Sequence, residues 1–381
     1  MKDQYVILTG SKNNAGDYLI KYRAKKLFSL LRPDRRIIDI NGWEQLNLKQ
    51  LAIINQSKAL ILMGGPALVE NMVPQVYALT NNLNDIKVPI IMMGVGWKSQ
   101  SGDWEDTYNY PLNERTLSLL ERIEISGYYS SVRDYHTLSA LRFNGFNNFL
   151  MTGCPAYYNK DFINTEFRSE DINLVAFSLG VSFMRSPSME KLMKENILVC
   201  KEKFKEKSFK VVFHHSLERD KFKADYRYRS RHVIQHNKFA DWLDENDIRY
   251  VDISGSAENL INYYNTVDLH IGYRVHAHIF MNSINKKSIL ISEDGRAKGV
   301  RSAISGIVLD GYLEFRESFF SRVFNKILPF YDRFRVNNNL TKELISEINY
   351  EDKNDFIRLK SSRRLIDNNY IIMQNFLKQL P

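Results

Sequence analysis

Near the N-terminus stands Tyr5-Val6-Ile7-Leu8-Thr9-Gly10-Ser11-Lys12-Asn13-Asn14-Ala15-Gly16-Asp17-Tyr18-Leu19-Ile20, and this stretch decides the class of fold. Tyr5 to Leu8 is a short run of aromatic, β-branched and aliphatic residues with strand character. Gly10 to Gly16 is polar and supplies a turn. Beyond Asp17 the apolar residues Ile20, Ala24, Leu27 and Leu31 recur at spacings of four, three and four, marking one face of a helix that Pro33 ends. Strand, glycine-containing turn and helix in that order make one unit of an α/β sheet.

The unit repeats along the chain. Ile37 to Ile40, Leu60 to Met63, Ile90 to Met93 and Tyr128 to Val132 read as strands. Helical patterns around Glu70 to Leu83, Glu114 to Ile123 and Asp134 to Asn144 separate them. Several strands are apolar on both alternating faces, as a parallel sheet covered by helices requires. Tyr157 to Asp171 is polar, aromatic and aperiodic, and reads as a connection. A second series follows at Leu174 to Ser178, Lys210 to His214, Tyr250 to Ile253, Leu269 to Gly272, Ser288 to Ile291 and Ile307 to Leu309. The last seventy residues read as helices, with Ile357, Leu365, Ile371 and Phe376 among their expected buried positions. The expected class is α/β, with two doubly wound Rossmann-like domains facing a cleft. Their expected bounds are 1–155 and 173–315, joined by a linker over 156–172, with C-terminal helices over 316–381 packing back on the first domain.

Composition narrows the function. The chain has 381 residues, 44% hydrophobic and 25% charged, which suits two globular domains and excludes a disordered chain. Two cysteines, Cys154 and Cys200, support neither a disulfide framework nor a cysteine zinc site, and a reducing compartment is expected. The longest apolar runs, Ala59 to Val69 and Val88 to Trp97, are too short for a membrane span, and residues 1–10 hold no signal peptide. A cytoplasmic protein is expected. The net charge is +9, and Lys201 to Arg231 carries eleven basic and five acidic residues, interleaved with aromatic side chains. Such a surface attracts nucleic acid, an anionic membrane or a phosphorylated substrate, or is only a solvated face.

Ligands of doubly wound sheets sit at the carboxyl ends of strands, so the loops there hold the candidates. In the first half these are Asn13-Asn14-Ala15-Gly16-Asp17, Met63-Gly64-Gly65-Pro66 and Gly94-Val95-Gly96-Trp97. None is a Walker or full G-x-G-x-x-G pattern, so a nucleotide fingerprint is absent. Asp17 is either the N-cap of the helix or a carboxylate for a sugar hydroxyl. Arg133 and Asp134 end another strand, where they pair or cap the next helix. In the second half, His214 and His215 end a strand inside the basic stretch. Neighbours on a strand point to opposite faces, so one of the pair is expected to face the ligand. No H-E-x-x-H and no cysteine cluster occurs, so no metal and no cofactor is expected. The strongest signal is Gly272-Tyr273-Arg274-Val275-His276-Ala277-His278-Ile279, where Arg274 and His276 open a helix after a strand. Arginine offers a planar fork for carboxylate or phosphate, histidine donates or shuttles a proton, and the helix adds backbone donors. Glu293-Asp294-Gly295-Arg296-Ala297-Lys298-Gly299 is either a completion of that anion site or a surface turn.

Taken together, Asn14-x-Gly16-Asp17, Gly64-Gly65, Ser131-Val132-Arg133-Asp134, Gly153-Cys154-Pro155-Ala156 and Gly272-x-Arg274-x-His276-Ala277 resemble, in this order, the motifs of the polysaccharide pyruvyl transferases. The resemblance spans roughly residues 5 to 300. It implies a fold like that of two-domain (GT-B-like) glycosyltransferases, phosphoenolpyruvate as donor, a sugar diol as acceptor, and a cyclic pyruvate ketal and phosphate as products. It associates Arg274 and His276 with the donor. Cys154 departs from the family's frequent Asp, and Arg185, near Gly180, is the nearest substitute for a further donor arginine.

The expectation is therefore a pyruvyl transferase acting on a cell-envelope polysaccharide precursor that is lipid- or nucleotide-linked. His276 and Asp17 are the candidate catalytic residues. Arg274, His276, Arg185 and Lys298 are the donor-binding candidates, and Asn14, Asp17, Gly65 and His214 the acceptor-binding ones. Peripheral contact with the inner membrane surface is expected of the basic stretch, and no nucleic-acid partner. The alternative is a GT-B-type glycosyltransferase using a nucleotide sugar.

Overall fold

In the computed structural model, which describes residues 3–10, 15–218, 230–315 and 332–381, the chain divides into two units. The first comprises Met1–Thr165, Lys298–Ser305 and Arg363–Pro381, and the second Glu166–Ala297 and Gly306–Ser362.

In chain order the first unit runs β1 (Gln4–Thr9), α1 (Ala15–Leu31), β2 (Arg36–Asn41), α2 (Leu48–Asn55), β3 (Ala59–Leu68), α3 (Met72–Gln75), β4 (Ile90–Trp97), α4 (Glu114–Glu124), β5 (Ser130–Val132), α5 (Tyr135–Phe143) and β6 (Phe149–Met151). Its six strands form one parallel sheet in the order β2-β1-β3-β4-β5-β6. The central strands are buried on both faces, because Tyr5 to Leu8, Leu60 to Leu62 and Ile90 to Met93 have almost no exposed surface. Three expectations are corrected here. Both glycine motifs lie inside strands: β3 continues to Leu68 and β4 to Trp97, with Gly65 opposite Val95 and Leu68 opposite Trp97. Apolar residues around the glycines continue the pairing, and the missing Cβ atoms admit close neighbours. Residues 70–83 form little helix, because Val73, before Pro74, is extended (φ −111°, ψ 125°) and Leu79 has φ 45°. Asp17 lies within the first turn of α1 and is not its N-cap.

The second unit runs β7 (Leu174–Ser178), α6 (Pro187–Lys203), β8 (Ser208–Phe213), α7 (Ser230–Glu245), β9 (Tyr250–Asp252), α8 (Ala257–Thr266), β10 (Leu269–Gly272), α9 (Val275–Ser283), β11 (Lys287–Ser292), α10 (Gly295–Ile304, which passes into the first unit), β12 (Ile307–Asp310), β13 (Tyr312–Phe315) and β14 (Phe334–Val336). Its parallel sheet has the order β12-β11-β10-β7-β8-β9, and β13 and β14 form an antiparallel pair. Val175, Phe177, Ile271, Ile289 and Ile291 share one face of this sheet and form the core under the helices that cover it. The helix Leu340–Lys353 buries Leu340, Leu344 and Ile348 in that core.

The closing helix Ile357–Lys378 begins in the second unit and ends in the first. Arg32, itself buried, donates to the Leu380 carbonyl at 2.7 Å, and the Tyr5 hydroxyl to that of Pro381 at 2.7 Å. The expected buried face is wrong at three of four positions: Ile357, Leu365 and Ile371 are exposed and Phe376 is buried. The buried stripe instead follows Leu359, Ile366, Tyr370, Met373 and Leu377, which keep the three- and four-residue spacing in a different phase.

Candidate functional site

In the first unit, the strand ends around β4 and β5 gather three of the sequence motifs, those of Gly94–Trp97, Ser131–Asp134 and Gly153–Ala156. Ser130 and Ser131 accept the backbone N–H groups of Met92 and Gly94, at 2.9 Å each, so hydroxyls replace part of the β4–β5 ladder. Gly94, at φ 64°, leaves room for Pro155, whose Cδ would lie 2.4 Å from an added Cβ. Gly96 leaves room for Arg133, whose Nε would lie 2.0 Å from one. Asp134 caps α5: its Oδ1 accepts from the Thr137 N–H and hydroxyl, both at 2.7 Å. Its Oδ2 takes the Arg133 Nε–H at 3.4 Å. The remaining Arg133 nitrogens, Nη1 and Nη2, are buried with no hydrogen-bond partner among the described residues. A buried guanidinium with two unsatisfied ends is costly, and such groups concentrate where a ligand completes them. Cap and pair are both realised, and they leave the arginine half used.

The acceptor-side candidates Asp17 and Gly65 meet in this unit. A Cβ on Gly65, at φ 103°, would lie 3.1 Å from the buried Asp17 carboxylate. The Asp17 charge also adds to burial in holding the Tyr77 phenol protonated. Asn14 lies outside the described residues. Lys298 is grouped with the first unit, where its ammonium pairs with Asp103 at 2.7 Å. Where family members often carry Asp, Cys154 is a buried thiol pushed up to about 11 by burial, so it brings no charge.

In the second unit, Gly272 has φ 136°, and an added Cβ would lie 2.4–2.7 Å from the backbone oxygen, nitrogen and Oγ of Ser178. That close approach lets the Arg274 N–H donate to Ser178 Oγ at 3.0 Å. A buried polar relay continues from there. Ser178 Oγ meets His270 Nε2 at 2.8 Å, His270 Nδ1 meets Ser288 Oγ at 2.8 Å, and Ser288 Oγ meets His278 Nδ1 at 2.7 Å. Asn282 Nδ2 closes it on His278 Nε2 at 3.2 Å. The Asn282 amide can only donate from nitrogen, which sets the direction. His278 carries its proton on Nδ1, Ser288 donates onward to His270 Nδ1, and His270 donates from Nε2 to Ser178. Burial pushes the His278 imidazole down to about 3, and His270 well below the ordinary range, so both are neutral. His278 is thus a structural histidine.

Arg274 is the N-cap residue of α9, and His276 lies buried in its first turn. The Arg274 Nη2–H donates to His215 Nδ1 at 2.7 Å. His214 is tied elsewhere: its Nε2 is hydrogen-bonded at 2.7 Å to the Tyr264 hydroxyl, which burial keeps protonated. Arg185 is exposed, at the end of the 3-10 turn Ser182–Met184, close enough for its charge to act on His232. Glu293 does not build an anion site. Its Oε2 accepts from the Val181 and Ser182 N–H groups at 2.6 and 2.9 Å, and Arg296 is held by Asp294 at 2.6 Å. Sequence reasoning left open which of His214 and His215 faces the ligand and chose His214, whereas His215 is the one bonded to Arg274; Arg133 was read as a pair or cap. Gly96 and Gly272, glycines spaced for close approach, were the signals that something large or near needed room.

Lys221, Lys223, Arg227 and Arg229 of the basic stretch lie outside the described residues. No helix among the described residues is long and apolar enough to cross a membrane.

Two solved structures resemble this fold over nearly its whole length. One is a candidate UDP-N-acetylglucosamine 2-epimerase from Listeria monocytogenes, 10% identical, covering 97% of this chain and 95% of that one at a TM-score of 0.50. The other is ligand-free OtsA, 9% identical, covering 99% of each chain at a TM-score of 0.50. These likenesses identify the two-domain, GT-B-like α/β fold and nothing finer. No curated protein matches the sequence. A model of the family described as polysaccharide pyruvyl transferase matches residues 14–295, from the α1 entry loop through the Arg274 and His276 motif, so the chain is a transferase and belongs to the polysaccharide pyruvyl transferase family.

Proposed function

We propose that the protein transfers the pyruvyl group of phosphoenolpyruvate to a sugar diol of a cell-envelope polysaccharide precursor, releasing phosphate. The observation that carries this reading is the anchored Arg274 at the start of α9, with His276 in the next turn. Arginine there suits a ligand bearing both carboxylate and phosphate, because its planar fork matches either group. In the reaction a proton adds to the donor's methylene carbon and leaves the central carbon electrophilic. One sugar hydroxyl attacks that carbon and gives up its proton. The carbon–oxygen bond to phosphate breaks with its electron pair, and the second hydroxyl closes the ketal, losing its proton in turn. His276 is assigned to the acid or to the departing phosphate, and Asp17 to a hydroxyl proton. Arg185 is assigned to the donor as an outer cation, while Lys298, paired with Asp103, is the weaker donor candidate. The basic stretch 201–231 is assigned to capture of an anionic acceptor carrier at the membrane surface.

A thermal-shift comparison tests the donor. Phosphoenolpyruvate at about 100 times its dissociation constant should stabilise the protein by about 2.7 kcal/mol, and phosphate should appear when an acceptor is added. A shift with nucleotide sugars and none with phosphoenolpyruvate would move the chain to glycosyl transfer.

A further inference from the structure

His215 has no part in the chemistry just assigned, yet its side chain bonds the residue that carries it. A guanidinium has only donors, so the 2.7 Å bond from Arg274 Nη2 requires His215 to accept at Nδ1 and hold its own proton on Nε2. The imidazole is fixed from behind. His232 and His236, one turn apart on α7, stack at 4.4 Å and stand 5.1 and 5.7 Å from the His215 ring. His236 Nδ1 donates to the His232 carbonyl at 2.9 Å, and its ring meets Phe183 edge-on at 5.2 Å. Phe183 packs in turn on Phe239 at 5.0 Å. A carboxylate in place of His215 would grip the arginine harder and cancel its charge. A neutral imidazole gives direction and leaves the charge intact.

We infer that His215 is the positioning residue of Arg274, setting the plane of the guanidinium so that an anion meets it in one orientation and at full charge. The inference rests on Arg274 being the donor clamp. A protonated His215 would point N–H at N–H and release the arginine, so the device works only while the ring is neutral. The charged and titratable groups around it favour that state: Arg274 at the start of α9, His214 beside it, and His232 and His236 from α7, while His276 acts on His214 and Arg185 on His232. Asp252 opposes them through its charge on His236. Burial first, and the Arg274 charge second, hold the His215 imidazole well below its ordinary range.

Two measurements test this. In histidine-labelled protein, the His215 ring, assigned through His215→Asn, should show the Nε2–H tautomer. Its titration midpoint should rise by about one unit or more in Arg274→Ala. A midpoint that does not move overturns the inference, whatever the donor is. In kinetics with phosphoenolpyruvate, His215→Ala should raise KM by roughly tenfold with a smaller change in kcat. His215→Asn, whose Oδ1 can accept the same bond, should recover most of the loss. His215→Phe keeps the ring contacts and cannot accept, so it should behave like Ala; wild-type kinetics in that variant would reduce His215 to packing. Failure of the wild-type protein to bind phosphoenolpyruvate would sink the donor reading alone, since the titration needs no ligand.

Discussion

Arg274 and Arg133 show how differently two arginines of one chain can be prepared for an anion. Arg274 is half-buried and anchored at both ends, its N–H on Ser178 and its guanidinium on His215. Two charge-assisted bonds to a donor are worth about 3 kcal/mol, so Arg274→Ala should lower turnover about a hundredfold with the fold intact. Arg274→Lys should recover little, because a point charge lacks the fork. Near-normal kinetics in the Ala variant would remove the main support for the donor site. Arg133 is more than nine-tenths buried, and among the described residues it has one weak pairing, to Asp134, and two nitrogens without a partner. If a substrate oxygen completes it, Arg133→Leu should lose activity by roughly tenfold or more while the melting temperature stays within a few degrees. Full activity in that variant would make Arg133 a structural residue only.

At the scale of elements, the relay through β7, β10, β11 and α9 ties the site's backbone to the core. Ser288 is its hinge, accepting from His278 and donating to His270. Ser288→Ala leaves a buried donor on one imidazole and a buried acceptor on the other. The expected loss is roughly 2–4 kcal/mol, or on the order of 10 °C in melting temperature, with weaker donor binding because His270, which holds the Ser178 partner of the Arg274 amide, loses its own anchor. An unchanged melting curve would show that the relay carries no strain-bearing load. The strands of this relay were legible from sequence, since Leu174 to Ser178 and Leu269 to Gly272 are compact apolar runs ended by a turn signal. The relay itself was not. His270, Ser288 and His278 are scattered polar residues in apolar runs, and only the strand order β11-β10-β7 makes them neighbours. β6 escaped notice at three residues, and the phase of the closing helix is set by its packing, which spacing alone does not specify. His215 shared that fate: its partner is fifty-nine residues away in the chain.

Over the whole molecule, the histidines are divided unevenly, and this sets how the protein meets acid. Of eight histidines, His136 alone belongs to the first unit. In the second, His214, His215 and His270 are held well below the ordinary range, His232 and His278 are pushed down to about 3, and His236 to about 4. Burial is the largest cause in each case, with neighbouring positive charge added for most. The unfolded chain takes up these protons near pH 6.5, whereas the folded unit resists them to lower pH. Below pH 6.5 the unfolded state therefore binds more protons. The stability held by neutral histidines is full above that value and drains as pH falls toward 4. Each group costs at most about 1.4 kcal/mol per pH unit below 6.5, and the six together at most about 8 kcal/mol per pH unit, against a total stability of roughly 5–15 kcal/mol. The second unit should thus open near pH 5, ahead of the first. The two buried cysteines report on this separately, because Cys154 lies in the first unit and Cys200 in the second. A pyridyl disulfide, which reacts in acid, should label Cys200 as the pH is lowered through 5 while Cys154 remains protected. Labelling of Cys154 first, or protection of both down to pH 4, would show that the buried histidines do not govern acid stability.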